Sequence, residues 1–375
     1  MNWKINTNMA DWYHISDIDE LDTPALVVYP DRVKQNIATL VGAIDGIDRL
    51  RPHVKTHKNK EVTQLCLEAG IRKFKCATIA EAEMLALCKA PDVLLAYQPV
   101  GPKIKRLAEL IMQYPDTAFS CLIDSYETAS VIDQIALAAQ VQLNVYIDLN
   151  VGMNRSGIAP QKAFVLYERC ELLQAVKVVG LHVYDGHIHD EDINVRKQKC
   201  DETFRPVEEL IAELRQSGIE PIVVAGGSPT FPIHAQREGV ECSPGTFVYW
   251  DSGYANEMPE QQFLPAALVV ARIVSLPDDT KICVDLGHKS IASENVPDKR
   301  VTFLNAPQLK PVSHSEEHLV LEAGANHQYK AGDVLYGVPR HICPTVALYE
   351  RAITIQNSKI SGEWRTIARD RKINI

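Results

Sequence analysis

The sequence is short of what several classes of protein require. None of its 375 residues belongs to an apolar run of membrane-spanning length, which argues against a helical membrane protein. The opening stretch MNWKINTNMADWYHISDIDE carries acidic groups and no apolar signal core, so a soluble, cytoplasmic protein is expected. Nine cysteines are scattered without a CxxC pair or regular spacing, which does not fit a disulfide framework and leaves most of them as buried thiols. Positive charge is also scarce: 39 Lys and Arg face 48 Asp and Glu, for a net charge of -9. Nucleic acid and anionic membrane surfaces are therefore poor partners. A small-molecule enzyme is the natural default, and the length suits about two domains with a large core.

What the chain does have is a rhythm. Apolar, β-rich runs at 50–55, 71–76, 92–96, 118–123, 142–148, 178–184, 222–225 and 240–249 alternate with helical spacing at 59–69, 79–89, 103–113, 125–138, 160–170 and 195–216. Asp124-Ser125 and Pro160 mark helix starts, and Gly70 and Gly218 mark stops. The strand count and alternation predict an α/β protein with a (β/α)8 TIM barrel. After residue 258 the texture changes to short strand-like runs at 268–274, 281–286, 319–322, 333–336, 344–348 and 352–356 without intervening helices. These predict a mostly antiparallel β domain. The expected division is a barrel over 23–257 and a C-terminal β domain over 258–375, with residues 1–22 packed on the latter and 23–29 pairing with it.

In a barrel, chemistry gathers where strands end and loops begin. Lys55, in RPHVKTHK at 51–58, closes the first run. A lysine there can form a Schiff base, and partial burial would make it nucleophilic. The plain alternative is a surface lysine of a basic turn beside Arg51, Lys58 and Lys60. Asp148 to Gly157 follows the fifth run, and His182, Tyr184, Asp185, Gly186, His187 and His189 crowd the end of the sixth. Gly226-Gly227-Ser228-Pro229-Thr230 follows the seventh, and Ser243-Pro244-Gly245-Thr246 lies in the eighth. Glycine- and serine-rich turns at those two places are where barrels commonly hold phosphate, although turn chemistry alone also accounts for them. With a strand-end lysine they suggest an aldehyde-bearing phosphate ester. Farther on, His341-Ile-Cys343 would share one side of an extended strand, so imidazole and thiolate can meet one metal ion; a core histidine beside a buried cysteine is the plainer explanation.

Seven motifs then carry a resemblance over nearly the whole chain: DTPALVVYPDRVKQNI at 22–37, RPHVKTHK at 51–58, DLNVGMNRSG at 148–157, GLHVYDGH at 180–187, GGSPTF at 226–231, SEEH at 315–318 and HICPTV at 341–346. The chain resembles the fold-type III pyridoxal-phosphate enzymes, and within them the D-threonine aldolase and D-serine dehydratase family. The resemblance implies that Lys55 carries pyridoxal 5'-phosphate, that Arg155 donates to its phenolic oxygen, that His182 packs on the ring face and that Tyr184 lines the pocket. It assigns the phosphate to Gly226, Gly227, Ser228, Thr230 and Gly245. One departure stands out: alanine racemases place an arginine against the pyridine nitrogen just before the Pro-Gly step, and this chain has Ser243, which leaves that partner open with Tyr249 as a candidate.

The same resemblance implies a divalent metal on His341 and Cys343, zinc favoured and manganese the alternative. Cysteine stands where the aldolases tend to have a carboxylate, which leans toward dehydration. The implied activity is a metal-assisted lyase acting on D-amino acids with a β-hydroxyl, either a D-serine or D-threonine dehydratase or a D-threonine aldolase. Lys55 would take the α-proton in dehydration, and His189 or a water would receive the hydroxyl proton in aldol cleavage. A head-to-tail homodimer is implied as well. Alternatives are an amino-acid racemase and a non-catalytic pyridoxal-phosphate carrier. Glu316, Glu317 and His318 either neighbour the site or cap a turn.

Overall fold

Residues 12–375 are described by the structure, a computed structural model. The chain falls into two units: the described part of Met1–Thr39 together with Thr246–Arg369, and Leu40–Gly245 together with Asp370–Ile375. The partition differs from the division at 257/258 because residues 23–39 and 246–257 join the later half of the chain, while 370–375 join the barrel unit. In the first unit β1 (Ala25–Val28), four buried apolar residues in a row, is a central strand.

The second unit carries seven parallel strands in sequential order, β2 (Lys73–Cys76), β3 (Asp92–Leu95), β4 (Ala118–Ile123), β5 (Leu143–Leu149), β6 (Val176–Val183), β7 (Ile222–Ala225) and β8 (Val240–Cys242). Helices lie between them, and the sequence sets their starts. Asn59, Thr78, Ser125 and Asp192 each accept a backbone N–H from the first turn they precede. Pro102 and Pro160 open two others at the position where a missing N–H costs nothing. The inward residues Leu94, Leu122, Tyr146 and Val224 form an apolar cluster in this unit.

No ladder forms over 50–55, where the first barrel strand is predicted. The stretch meets both edges of the sheet through isolated bridges instead, Leu50 with Cys242 and His53 with Lys75. Pro52 has no N–H to extend a ladder. The chain then tightens into a 3-10 turn at Val54–Thr56, whose cap is the His53 ring accepting the Lys55 N–H at 3.2 Å. Arg51, fully buried, ties the stretch down with bonds to Glu241 (2.6 Å) and to both oxygens of Asp92 (2.5 and 3.0 Å). The eighth predicted run is likewise shorter than 240–249: the ladder stops at Cys242, ahead of Pro244, and Thr246–Val248 is a 3-10 turn.

The first unit is built on β9 (Ala267–Asp278), which pairs with β1, with β10 (Lys281–Val284) and with β14 (Val334–Pro339). β11 (Val301–Phe303) joins β14, and β12 (Lys310–His314) and β13 (Leu319–Glu322) extend the sheet from β10. β15 (Arg351–Gln356) and β16 (Lys359–Arg365) complete it beyond β1. Among the described residues the β1–β15 pair is parallel and the other pairings of this sheet are antiparallel. Alternation along β9 covers both faces. Leu268 and Val270 pack with Ile15, Leu21, Val27 and Tyr336, while Val269, Ala271 and Ile273 pack with Ile282, Leu321 and Leu335.

One predicted strand is a helix. Residues Ile342–Leu348 form two turns after the extended residue His341, and Pro344 fits because it falls in the first turn. His341 and Cys343 are therefore not neighbours on one side of a strand.

Candidate active site

At the strand ends of the barrel unit lies a cavity of about 540 Å³, lined by Lys55, Lys75, Asp148, Arg155, His182 and Tyr184 among others. Lys55, Arg155, His182 and Tyr184 are the sequence candidates among them, and the fold sets three cations round the Tyr184 ring. The Arg155 guanidinium carbon lies 4.9 Å from the centroid of Tyr184, Lys75 Nζ 5.4 Å and Lys55 Nζ 6.0 Å. Gly186 makes this placement possible, since a Cβ there would fall 2.4 Å from the Tyr184 ring.

Below the ring runs a chain of hydrogen bonds. Asp148 Oδ1 holds His182 Nδ1 at 2.7 Å, and His182 Nε2 lies 3.1 Å from Lys75 Nζ. Lys75 also donates to Ser243 Oγ at 2.6 Å, and Ser243 donates to the Gly226 carbonyl at 2.8 Å. Burial alone would raise the Asp148 carboxyl, but the bonds from His182 and Ser156 hold it below its ordinary value. It is a carboxylate, so His182 carries its proton on Nδ1 and offers the Nε2 lone pair to Lys75. Burial, with the Lys75 charge, drives His182 toward the neutral form. The Lys75 ammonium is pushed down to about 7, first by burial and then by the charge of Lys55, against the pull of Asp148 and Asp185. Sequence reasoning passed over Lys75. It lies in KFKC at 73–76, next to last in its strand.

The turn after β7 meets the same cavity wall. Gly226 has φ +72, and a side chain there would strike His234 and the Thr230 hydroxyl at 2.7 and 2.8 Å. A Cβ on Gly227 would touch the Tyr184 ring at 3.1 Å. Ser228, buried, accepts the Gly245 N–H at 3.3 Å, and Thr230 donates to Asp185 at 2.8 Å. All five candidate phosphate residues thus lie in one connected patch. Asp185 continues to His234 Nε2 (2.8 Å), and Cys200 lies 3.3 Å from the same nitrogen. These three side chains are the one group among the described residues with the spacing of three metal ligands. His234 Nδ1, however, is buried without a partner, whereas a metal-bound imidazole donates from its other nitrogen. The group reads better as a hydrogen-bonded brace under the turn.

Other sequence candidates lie elsewhere. His189 is exposed and does not line the cavity. Tyr249 is buried in the first unit. Glu316 and Glu317 are exposed and paired with Lys289, and His318 is exposed. His341 and Cys343, also in the first unit, do come together despite the helix: the imidazole is hydrogen-bonded to Cys343, while Glu294 Oε1 sits 2.5 Å from Nδ1. Burial opposes charge on His341, but Cys343 and Glu294 outweigh it and raise the imidazole to about 9.

Residues 28–253 match the model of the alanine racemase N-terminal domain, and residues 266–355 match that of a putative serine dehydratase domain. The chain belongs to the alanine racemase N-terminal domain family. Within reach of this family's sequences, it is 27% identical over 358 residues to a D-threonine aldolase of Arthrobacter sp., covering 93% of each chain. It is 25% identical over 370 residues to a 3-hydroxy-D-aspartate aldolase of Paracoccus denitrificans (strain Pd 1222), covering 94% of this chain and 93% of the relative. With a D-threo-3-hydroxyaspartate dehydratase of Delftia sp. (strain HT23) it shares 28% over 238 residues, 62% of each. The crystal structure of D-threonine aldolase from Filomicrobium marinum superposes with a TM-score of 0.86 at 25% identity, covering 93% of this chain and 96% of that one. No helix among the described residues is long and apolar enough to cross a membrane.

Proposed function

We propose that this chain is a pyridoxal-phosphate- and metal-dependent lyase for D-amino acids carrying a β-hydroxyl. The observation that carries the proposal is the convergence of Lys55, Arg155, His182 and Tyr184 on one cavity beside the Gly226–Gly227 turn. The donor set fits the cofactor: an amine for its carbonyl, a guanidinium for its phenolic oxygen, and a turn whose glycines leave room for a phosphate. The aldolases and the dehydratase that the chain resembles support the substrate class.

His341 and Cys343 would hold the metal. An imidazole gripped at Nδ1 by a carboxylate, as Glu294 grips this one, is oriented in the way metal-ligating histidines are. When bound, pyridoxal phosphate supplies an electron sink and the metal supplies a Lewis acid for the substrate hydroxyl. The protein's own groups do the rest. Lys55 would hold the cofactor through its amine and, in dehydration, would serve as the base for the α-proton. His182, neutral and fixed by Asp148 and Lys75, gives the ring a rigid wall. Arg155, standing over Tyr184, would donate to the phenolic oxygen and so orient the cofactor.

Dehydration is the second reading, favoured by Cys343 in place of a carboxylate. Incubation of the protein with pyridoxal phosphate, zinc or manganese, and D-threonine or D-serine separates the two, with products identified by NMR. Glycine and acetaldehyde from D-threonine mean aldol cleavage; a ketoacid and ammonia mean dehydration. Racemised substrate without either product would overturn the proposal, and so would full activity after exhaustive removal of metal.

A further inference from the structure

Pyridoxal phosphate has four polar features to satisfy: a carbonyl, a phenolic oxygen, a phosphate and a ring nitrogen. On the proposed function, Lys55, Arg155 and the Gly226–Thr230 turn take the first three. For the fourth, the groups to weigh are Lys75, which lines the cavity, and the Ser243 hydroxyl bonded to it. Ser243 spends its hydrogen on the Gly226 carbonyl and one lone pair on Lys75, and it does not line the cavity. Lys75 spends two hydrogens, one on Ser243 Oγ at 2.6 Å and one on His182 Nε2 at 3.1 Å. Its third tetrahedral direction has no protein partner among these bonds, and Lys75 lines the cavity although only 3% exposed.

We infer that Lys75 Nζ is the partner of the cofactor's pyridine nitrogen and holds one proton in common with it. The inference rests on the cofactor reading above. The hydrogen count makes the pair self-consistent. A charged Lys75 has a third N–H to donate to an unprotonated ring nitrogen; a neutral Lys75 has a lone pair to accept from a protonated one. One proton serves both states, and burial brings the lysine near the neutral point where neither state is far from the other. An arginine in this place would keep its proton at all times and hold the ring unprotonated. Lys75 therefore makes the ring a stronger electron sink than arginine would, and it acts as a positioning residue for His182 as well.

The test is a pair of binding constants rather than an activity. Equilibrium dialysis would compare pyridoxal phosphate with its carbocyclic analogue, in which C–H replaces the ring nitrogen, on the full-length wild type and on Lys75→Met. Wild type should bind the analogue at least about tenfold more weakly, because it leaves a buried amine unpaired. In Lys75→Met, which keeps the bulk of the side chain, the gap should close to about twofold or less. Lys75→Arg, which still donates, should keep a gap. Equal binding of both ligands by wild type overturns the assignment without any variant, as does an unchanged gap in Lys75→Met. Wild type that binds neither ligand overturns the cofactor reading, and this assignment with it.

Discussion

His182 and His341 both present Nδ1 to a carboxylate, at 2.7 Å from Asp148 and 2.5 Å from Glu294, yet their surroundings shift the two imidazoles in opposite directions. His182 is buried, its Nε2 is taken by Lys75, and its pKa is lowered. The His341 side chain is 48% exposed, touches a thiol, and has its pKa raised. Enclosure with a finished set of hydrogen bonds makes an imidazole a fixed wall. Access, with a soft ligand alongside, makes one a site where an ion can arrive.

Lys55→Ala should have the largest effect, removing all activity and all cofactor absorbance after gel filtration. Survival of that absorbance would take the cofactor away from the barrel cavity. Next, His341→Ala should lose bound metal, measured by elemental analysis, and cut turnover by at least about 100-fold while cofactor affinity stays constant. If cofactor affinity falls in step, the two histidines do not serve separable functions. Glu294→Gln is gentler: an orienting carboxylate of this kind is worth about 10–100-fold in metal affinity.

A further effect concerns pH. Lys75 binds its proton less readily in the folded protein, at about 7 against an ordinary 10.5. Between those values the unfolded chain holds more protons, so the contribution to stability rises with pH there and is flat below and above. The cofactor-free wild type should gain on the order of a few kcal/mol across that window relative to Lys75→Met, read from denaturant midpoints. An identical pH slope in the two proteins would mean that Lys75 is not held neutral by its surroundings.

Much of this arrangement was legible in the sequence, because strand ends carry barrel chemistry and each of Lys55, Arg155, His182 and Tyr184 follows or ends a readable run. The alternation of strands and helices gave the parallel sheet for the same reason. Three things were hidden. The stretch 50–55 looks like a strand by composition, but Pro52 and the His53 cap convert it to bridges and a turn, a matter of backbone donors that periodicity does not register. Residues 344–348 have a strand-like apolar pattern, yet a proline in the first turn of a helix is equally at home. Lys75 was missed because a lysine between Phe74 and Cys76 looks like the solvent face of a strand; only the positions of His182 and Ser243, each more than 100 residues away, turn it inward.

The bridged stretch beside Lys55 has one further consequence, in amide hydrogen exchange. Three backbone bonds, Arg51 N–H to Cys242, His53 N–H to Pro244 and Lys75 N–H to Pro52, hold it to the sheet edges, whereas β5 and β6 share a register from Leu143 to Leu149. The amides of Arg51 and His53 should therefore report local opening far below the global unfolding free energy if backbone pairing alone governed them. What delays them is the buried Arg51 guanidinium between Asp92 and Glu241, and Arg51→Ala, at about 3–5 kcal/mol, should release their protection first. The lysine at the head of the cavity is thus kept in place by a charge cluster at the other end of its own short segment.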